Sequence, residues 1–171
     1  HQVVEGKHQI NRDLCILCGA CVQGCPPQAL TLTGRTASVA DILADVLRDR
    51  PFYENSGGGL TVSGGEPLAQ PAFTRELLRA AVEAGLHTCL ETSGFGAWKD
   101  LAPMIPLTRL FLFDLKDMDD RHHREWTGVP LKPILDNLAQ LDAAGAEILI
   151  RLPLIPGCND RSDYFDGIAD C

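Results

Sequence analysis

The sequence predicts an α/β fold: part of a parallel-stranded β/α barrel, with a small ferredoxin-like iron–sulfur segment ahead of it. Three observations carry this. Four of seven cysteines crowd into the run Cys15-Ile-Leu-Cys-Gly-Ala-Cys-Val-Gln-Gly-Cys-Pro26. From Leu60 onward, short apolar runs alternate with longer stretches of helical periodicity, as in successive βαβ units. Glycine-rich or charged stretches follow the apolar runs: SGGEP, ETSG, DLKDMD and RLPLIPG. In a β/α barrel that edge carries the chemistry. The expected division is residues 1–35 for the cysteine segment and 36–171 for the partial barrel.

The cysteine run has the spacing C-x2-C-x2-C-x3-C-P of bacterial ferredoxins. Thiolates of Cys15, Cys18, Cys21 and Cys25 at these intervals suit a [4Fe–4S] cube, flanked by short polar strands. Zinc sites more often pair two distant C-x2-C units, and a disulfide framework suits a small secreted chain. Cys25 ligates either the same cube or a neighbouring one, because the fourth cysteine of such a run serves the other cluster in two-cluster ferredoxins.

Next, Ser38-Val-Ala-Asp41 reads as a variant capping box, followed by Val39, Ile42, Leu43, Val46 and Leu47 at helical spacing. Pro51 is expected to end that helix, leaving Tyr53–Gly59 as a loop. Leu60–Val62 is a strand. Pro71 opens a helix through Ala84, with Gly85 at C′. His87–Glu91 is a strand, with a short helix near Trp98. Leu110–Leu115 is a buried strand, and 117–128 a loop containing a helical turn. Leu131–Ala144 is a helix stopped by Gly145, and Glu147–Leu152 the next strand.

The strand ends collect candidate site residues. Gly64 and Gly65 let a ligand approach the backbone, and Glu66 can hold an amine, although GGEP alone is more often a turn. Asp114 and Lys116 lie on one face of their strand, opposite Leu115. Such a pair is costly in a core strand unless paired or functional; a structural ion pair is the plainer alternative. Glu91 adds a second carboxylate. Two carboxylates and one lysine leave net negative charge, suited to a cation or a positively charged ligand. Arg151 can clamp a carboxylate or neutralise Asp114 or Glu91. His122 and His123 read as solvated loop residues.

Composition excludes some classes. Hydrophobic content is 45% and net charge −8, with no basic block, so nucleic acid is not an expected partner. No apolar run reaches the roughly 20 residues of a membrane span. A cluster with three further cysteines, Cys89, Cys158 and Cys171, suits a reducing cytoplasm.

Together the stretches CILCGACVQGCPPQAL, ENSGGGLTVSGGEPLAQPAF, HTCLETSGFGAW, LFLFDLKDMDDRHH, TGVPLKPILDNL and IRLPLIPGCND, in order, resemble the glycyl-radical-enzyme activating enzymes of the radical S-adenosylmethionine superfamily, in the subset with a ferredoxin-like insert. The resemblance implies a partial (β/α)6 radical-SAM-type barrel. It also implies [4Fe–4S] clusters, S-adenosylmethionine and, as a further candidate, a monovalent cation. The implied reaction is reductive cleavage of S-adenosylmethionine and hydrogen abstraction from a backbone glycine of a glycyl-radical enzyme, with electrons from a flavodoxin or ferredoxin-type reductant. On this resemblance Gly64, Gly65 and Glu66 match the glycine-rich motif near the methionine amino group. Glu91, Thr92, Asp114, Leu115 and Lys116 match the strand-end contacts, and Arg151 an arginine at the methionine end. The TGVPL loop resembles the region facing the partner, with Leu131 where many relatives place asparagine.

The chain departs from this family in lacking its C-x3-C-x2-C motif, which Cys89, Cys158 and Cys171 do not replace. The sequence is therefore read as the middle of an activating enzyme, inactive alone. Another radical SAM enzyme, or an electron-transfer module built on residues 1–35, are the alternatives.

Overall fold

A computed structural model describes residues 2–169. The chain folds as two compact units, one up to Ala37 and one from Ser38 onward.

The first unit opens with an antiparallel hairpin, β1 (Gln2–Val4) and β2 (Lys7–Gln9). A single helical turn, α1 (Ala20–Gln23), lies within the cysteine run. The expected strands on either side of the cysteines are not what forms: both strands precede Cys15, and residues 24–37 carry neither helix nor strand. Cys25-Pro-Pro27 explains part of this, since proline has no N–H to offer a ladder.

In the second unit, α2 (Val39–Leu47) starts at a complete capping box. Ser38 Oγ accepts from Asp41 N at 3.1 Å, and Asp41 Oδ2 accepts from Ser38 N at 3.0 Å. Pro51 does not leave a loop behind it. It sits in the first turn of a new helix, α3 (Arg50–Ser56). A first-turn N–H has no partner within the helix, so proline loses nothing there by lacking one, and its fixed φ suits the helix. The next elements are β3 (Gly59–Val62), α4 (Pro71–Glu83), β4 (His87–Thr92), α5 (Trp98–Leu101) and β5 (Leu110–Asp114). The chain ends with α6 (Asp120–Thr127), α7 (Lys132–Ala143), β6 (Ile148–Arg151) and α8 (Ser162–Ala169). Short 3-10 turns at 67–69 and 102–107 join these elements.

Helix α6 is fuller than the helical turn expected there. Asp119 caps it, accepting from His122 N at 2.8 Å, and Gly128 ends it at φ 79°. Its His123 is buried rather than solvated, with Nδ1 donating to Val129 O at 2.8 Å. The sequence hid this helix because Trp126 is its one large apolar residue, so it carries no apolar stripe. Its first residue, Asp120, also accepts from the Leu131 backbone N–H at 2.8 Å, tying its start to the chain ahead of α7.

The four strands pair in parallel in the order β3-β4-β5-β6. Sequential order without reversal is the arrangement of a barrel wall, since right-handed crossovers then deliver every helix to one side. On that side Leu90, Phe111, Phe113 and Leu115 pack with Leu78, Leu101, Met104, Ile134, Leu138 and Leu141 in one core. The opposite face carries Cys89, Glu91, Leu112 and Asp114, all half-buried, and Leu149, exposed at the edge. No helix among the described residues is long and apolar enough to cross a membrane. Cys171 lies outside the described residues.

Candidate functional site

Candidate functional residues gather in two places, one in each unit. In the first, Cys15, Cys18 and Cys21 line a cavity of about 420 Å³ walled by Leu14, Ile16, Leu17, Val22, Leu30 and Leu32. Cys25 is half-buried, and all four thiols are free. Gly19, at φ 75°, starts α1 from a conformation that a side chain disfavours. Among the described residues, no three His, Cys, Asp or Glu side chains converge where a single metal ion would sit.

In the second unit, the C-terminal strand ends of β3 to β6 form one edge. Register puts Asp114 opposite Arg151, and Glu91 one strand further along on the same face. Arg151 joins them. Its Nε donates to Asp114 Oδ1 at 2.8 Å and its Nη2 to Glu91 Oε1 at 2.7 Å. These two hydrogen bonds, Asp114 first, hold the Arg151 pKa above its ordinary value. Asp114 therefore does not pair with Lys116. Lys116 is exposed, and its ammonium makes no hydrogen bond or ion pair among the described residues. With Arg151 counted, two carboxylates meet two cations, so these four residues are neutral rather than acidic.

Gly64 and Gly65 follow β3 at φ 83° and 66°, with open space around both. Their exposed backbone is available to a ligand. Glu66 is not. Its Oε1 accepts from Thr92 Oγ1 at 2.6 Å and Leu68 N at 3.1 Å, and its Oε2 from Ser93 N at 3.0 Å and Ser93 Oγ at 2.7 Å. A carboxylate offers about four lone-pair sites, and four donors occupy them. Thr92 is likewise committed: buried, donating to Glu66 and accepting from Gly94 N at 2.9 Å. Leu115 is a core residue, 1% exposed. Its N–H donates to Arg151 O at 3.0 Å and its carbonyl accepts from Tyr164 Oη at 2.8 Å.

Sequence reasoning missed Asn137. From α7 its Nδ2 donates to Gly94 O at 2.8 Å and Gly96 O at 2.9 Å, gripping from the far side the loop that Glu66 holds. The signal was present, since Ile134, Asn137, Leu138 and Leu141 share the core stripe of α7, where a polar residue needs a partner. Asn159 and Arg161, which brace the end of β5, were missed too.

The Radical SAM superfamily model matches residues 16–165. The chain belongs to the radical SAM superfamily. It is 44% identical over 163 residues to the isethionate sulfite-lyase activating enzyme of Nitratidesulfovibrio vulgaris, covering 94% of this chain and 53% of that protein. It is also 44% identical to the benzylsuccinate synthase activating enzyme of Thauera aromatica, covering 95% and 49%. The chain thus spans about half the length of the curated relatives it matches. A crystal structure of a domain of pyruvate-formate lyase-activating enzyme from Bacteroides vulgatus is 32% identical, with TM-score 0.62 over 66% of this chain and 70% of that one. Streptococcus suis SuiB, 15% identical with TM-score 0.66, shares the fold. The resemblance drawn from the motifs to activating enzymes of the radical SAM superfamily is borne out.

Proposed function

We propose that this chain is part of an activating enzyme that cleaves S-adenosylmethionine reductively and installs a glycyl radical on a partner glycyl-radical enzyme. Activating enzymes among its relatives support this. The observation that carries it is the strand-end edge. There the free backbone of Gly64 and Gly65 follows β3 and the Glu91–Arg151–Asp114 bridge ties the ends of β4 to β6, with Lys116, unpaired among the described residues, two residues beyond Asp114.

That donor set suits the cofactor. Carboxylates complement its sulfonium and amino groups; Lys116 and Arg151 complement its carboxylate. Bound there, S-adenosylmethionine supplies the radical chemistry. The protein binds and orients it, and contacts come from Gly64, Gly65, Glu91, Asp114, Lys116 and Arg151. Glu66, Thr92 and Leu115 act one step back, holding the loops that carry these contacts. A monovalent cation at this rim shares Glu91 and Asp114 with Arg151.

The cysteine unit, residues 1–35, holds a [4Fe–4S] cluster on Cys15, Cys18, Cys21 and Cys25. It relays electrons from a flavodoxin or ferredoxin-type reductant in the cytoplasm. Thiols spread around an apolar cavity suit a cluster, whose irons take separate ligands, better than one ion. Anaerobic reconstitution should load iron and sulfide, and Cys18→Ala should lose them; unchanged iron content would overturn the assignment. For the activity, the complete protein with reductant and S-adenosylmethionine should raise a glycyl-radical signal on a glycyl-radical enzyme by electron paramagnetic resonance. Cleavage of S-adenosylmethionine without any such signal, across the partners of its relatives, would instead favour another radical reaction.

A further inference from the structure

The β5–β6 ladder ends where Leu115 N donates to Arg151 O. Beyond it the chain runs on as Lys116 and Asp117 with no neighbouring strand among the described residues. Three side chains from the segment after β6 take over the ladder's work. Tyr164 Oη donates to Leu115 O at 2.8 Å. Asn159 Nδ2 donates to Lys116 O at 2.8 Å. Arg161 Nη2 donates to Asp117 Oδ1 at 2.9 Å.

Asn159 is the hinge pin of this brace. It is 4% exposed. Its Nδ2 also donates to Pro153 O at 2.7 Å, and its Oδ1 accepts from Ile155 N at 2.8 Å. One buried amide thus joins the exit of β6 to the Lys116 carbonyl. The peptide that Asn159 grips launches the one strand-end cation left without a partner among the described residues. Lysine is a point charge on a flexible stem, so where its ammonium can reach depends on where its backbone is held. Lys116 and Asn159 also line one cavity of about 390 Å³, walled by Trp126, Pro153 and Ile155.

We propose that Asn159 is a positioning residue for Lys116. It touches no ligand, and acts by fixing the Lys116 peptide so that the ammonium meets the S-adenosylmethionine carboxylate. This rests on the reading of the strand-end edge as the cofactor site.

The test is a double-mutant cycle in the complete protein, with S-adenosylmethionine dissociation constants measured by titration calorimetry. Lys116→Ala should weaken binding. Asn159→Ala should weaken it about five-fold, the scale of one positioning hydrogen bond. In the Lys116→Ala background it should add nothing, because its effect passes through Lys116. Should Asn159→Ala fail to fold, the neutral and shorter Asn159→Ser, which cannot donate to both carbonyls, serves in the same cycle. Equal losses in both backgrounds would mean general loosening and overturn the proposal, as would no loss at all. If Lys116→Ala binds like the wild type, the proposal falls with it. Asp114→Ala in the same series then reads the cofactor site separately: weakened binding keeps that site, and unchanged binding removes it.

Discussion

Arg151 reaches across two strands at once, donating Nε to Asp114 at 2.8 Å and Nη2 to Glu91 at 2.7 Å. Three consecutive parallel strands are thereby tied at their C-terminal ends by one guanidinium. The planar fork matters: it carries donors in fixed directions, where an ammonium is a point charge.

Arg151→Ala should therefore destabilise the fold by about 1–2 kcal/mol, because two carboxylates at adjacent strand ends lose their shared counter-charge in a half-exposed setting. Arg151→Lys should recover less than half of that, since one ammonium does not span both partners. Urea midpoints of the three proteins read this directly. Full recovery by lysine would show that charge alone, without the fork, holds the edge.

Glu66 fixes the end of β4 and the start of the loop after it through three donors, Thr92 Oγ1, Ser93 N and Ser93 Oγ, while Leu68 N ties it to its own turn. Glu66→Ala should cost about 1–3 kcal/mol, as it strands the Ser93 N–H and its companions. Glu66→Gln should also destabilise, because its amide N–H₂ must face one of the donor pairs. Hydrogen exchange at 92–96 should quicken in both variants. Unchanged exchange would return Glu66 to the role of a ligand contact.

Glycines near the site should divide by what surrounds them. A Cβ on Gly94 would collide with the Phe113 ring, at a backbone φ of 73°. Gly94→Ala should lower the melting temperature by more than ~10 °C, in line with an overpacked core plus a strained φ. Gly65→Ala meets open space and strains only its φ of 66°, for about 1 kcal/mol. Its stability should fall little while cofactor affinity falls more. Comparable melting temperatures for the two would contradict the packing seen at Gly94.

Asp117 makes the brace sensitive to acid. Burial alone raises its pKa, but the Arg161 hydrogen bond and charge, with the Asp119 and Met118 backbone N–H groups, leave it below the ordinary value. A lowered folded-state pKa means that the stabilisation is present above the unfolded value of about 3.9 and lost as pH falls through the folded one. Wild type should accordingly be more stable than Asp117→Asn at pH 7, and that gap should narrow as the pH falls below about 4. A gap constant down to pH 2 would show that the ionised carboxylate contributes nothing.

Much of this was legible in the sequence. Alternating apolar runs and helical stripes announced β3 to β6 and their parallel order, because a strand buried on its helix side must be apolar there, and βαβ units close in one hand. The Ser38–Asp41 capping box, the Pro71 start and the Gly85 and Gly145 stops are local signals, complete within a few residues. The strand-end positions of Gly64, Gly65, Glu91, Asp114, Lys116 and Arg151 follow from the same alternation. Tertiary structure alone decided which partners meet. Arg151 chose Asp114 and Glu91 over a free role, because register brings residues 37 and 60 positions away to within 3 Å of its guanidinium. Glu66 was drawn into Thr92 and Ser93, 26 and 27 positions on, and so became structural. Asn137 and Asn159 gained their places only when distant loops presented bare carbonyls to them. Residue type and spacing set where a side chain starts; only the folded neighbourhood sets which of its hydrogen bonds are already taken.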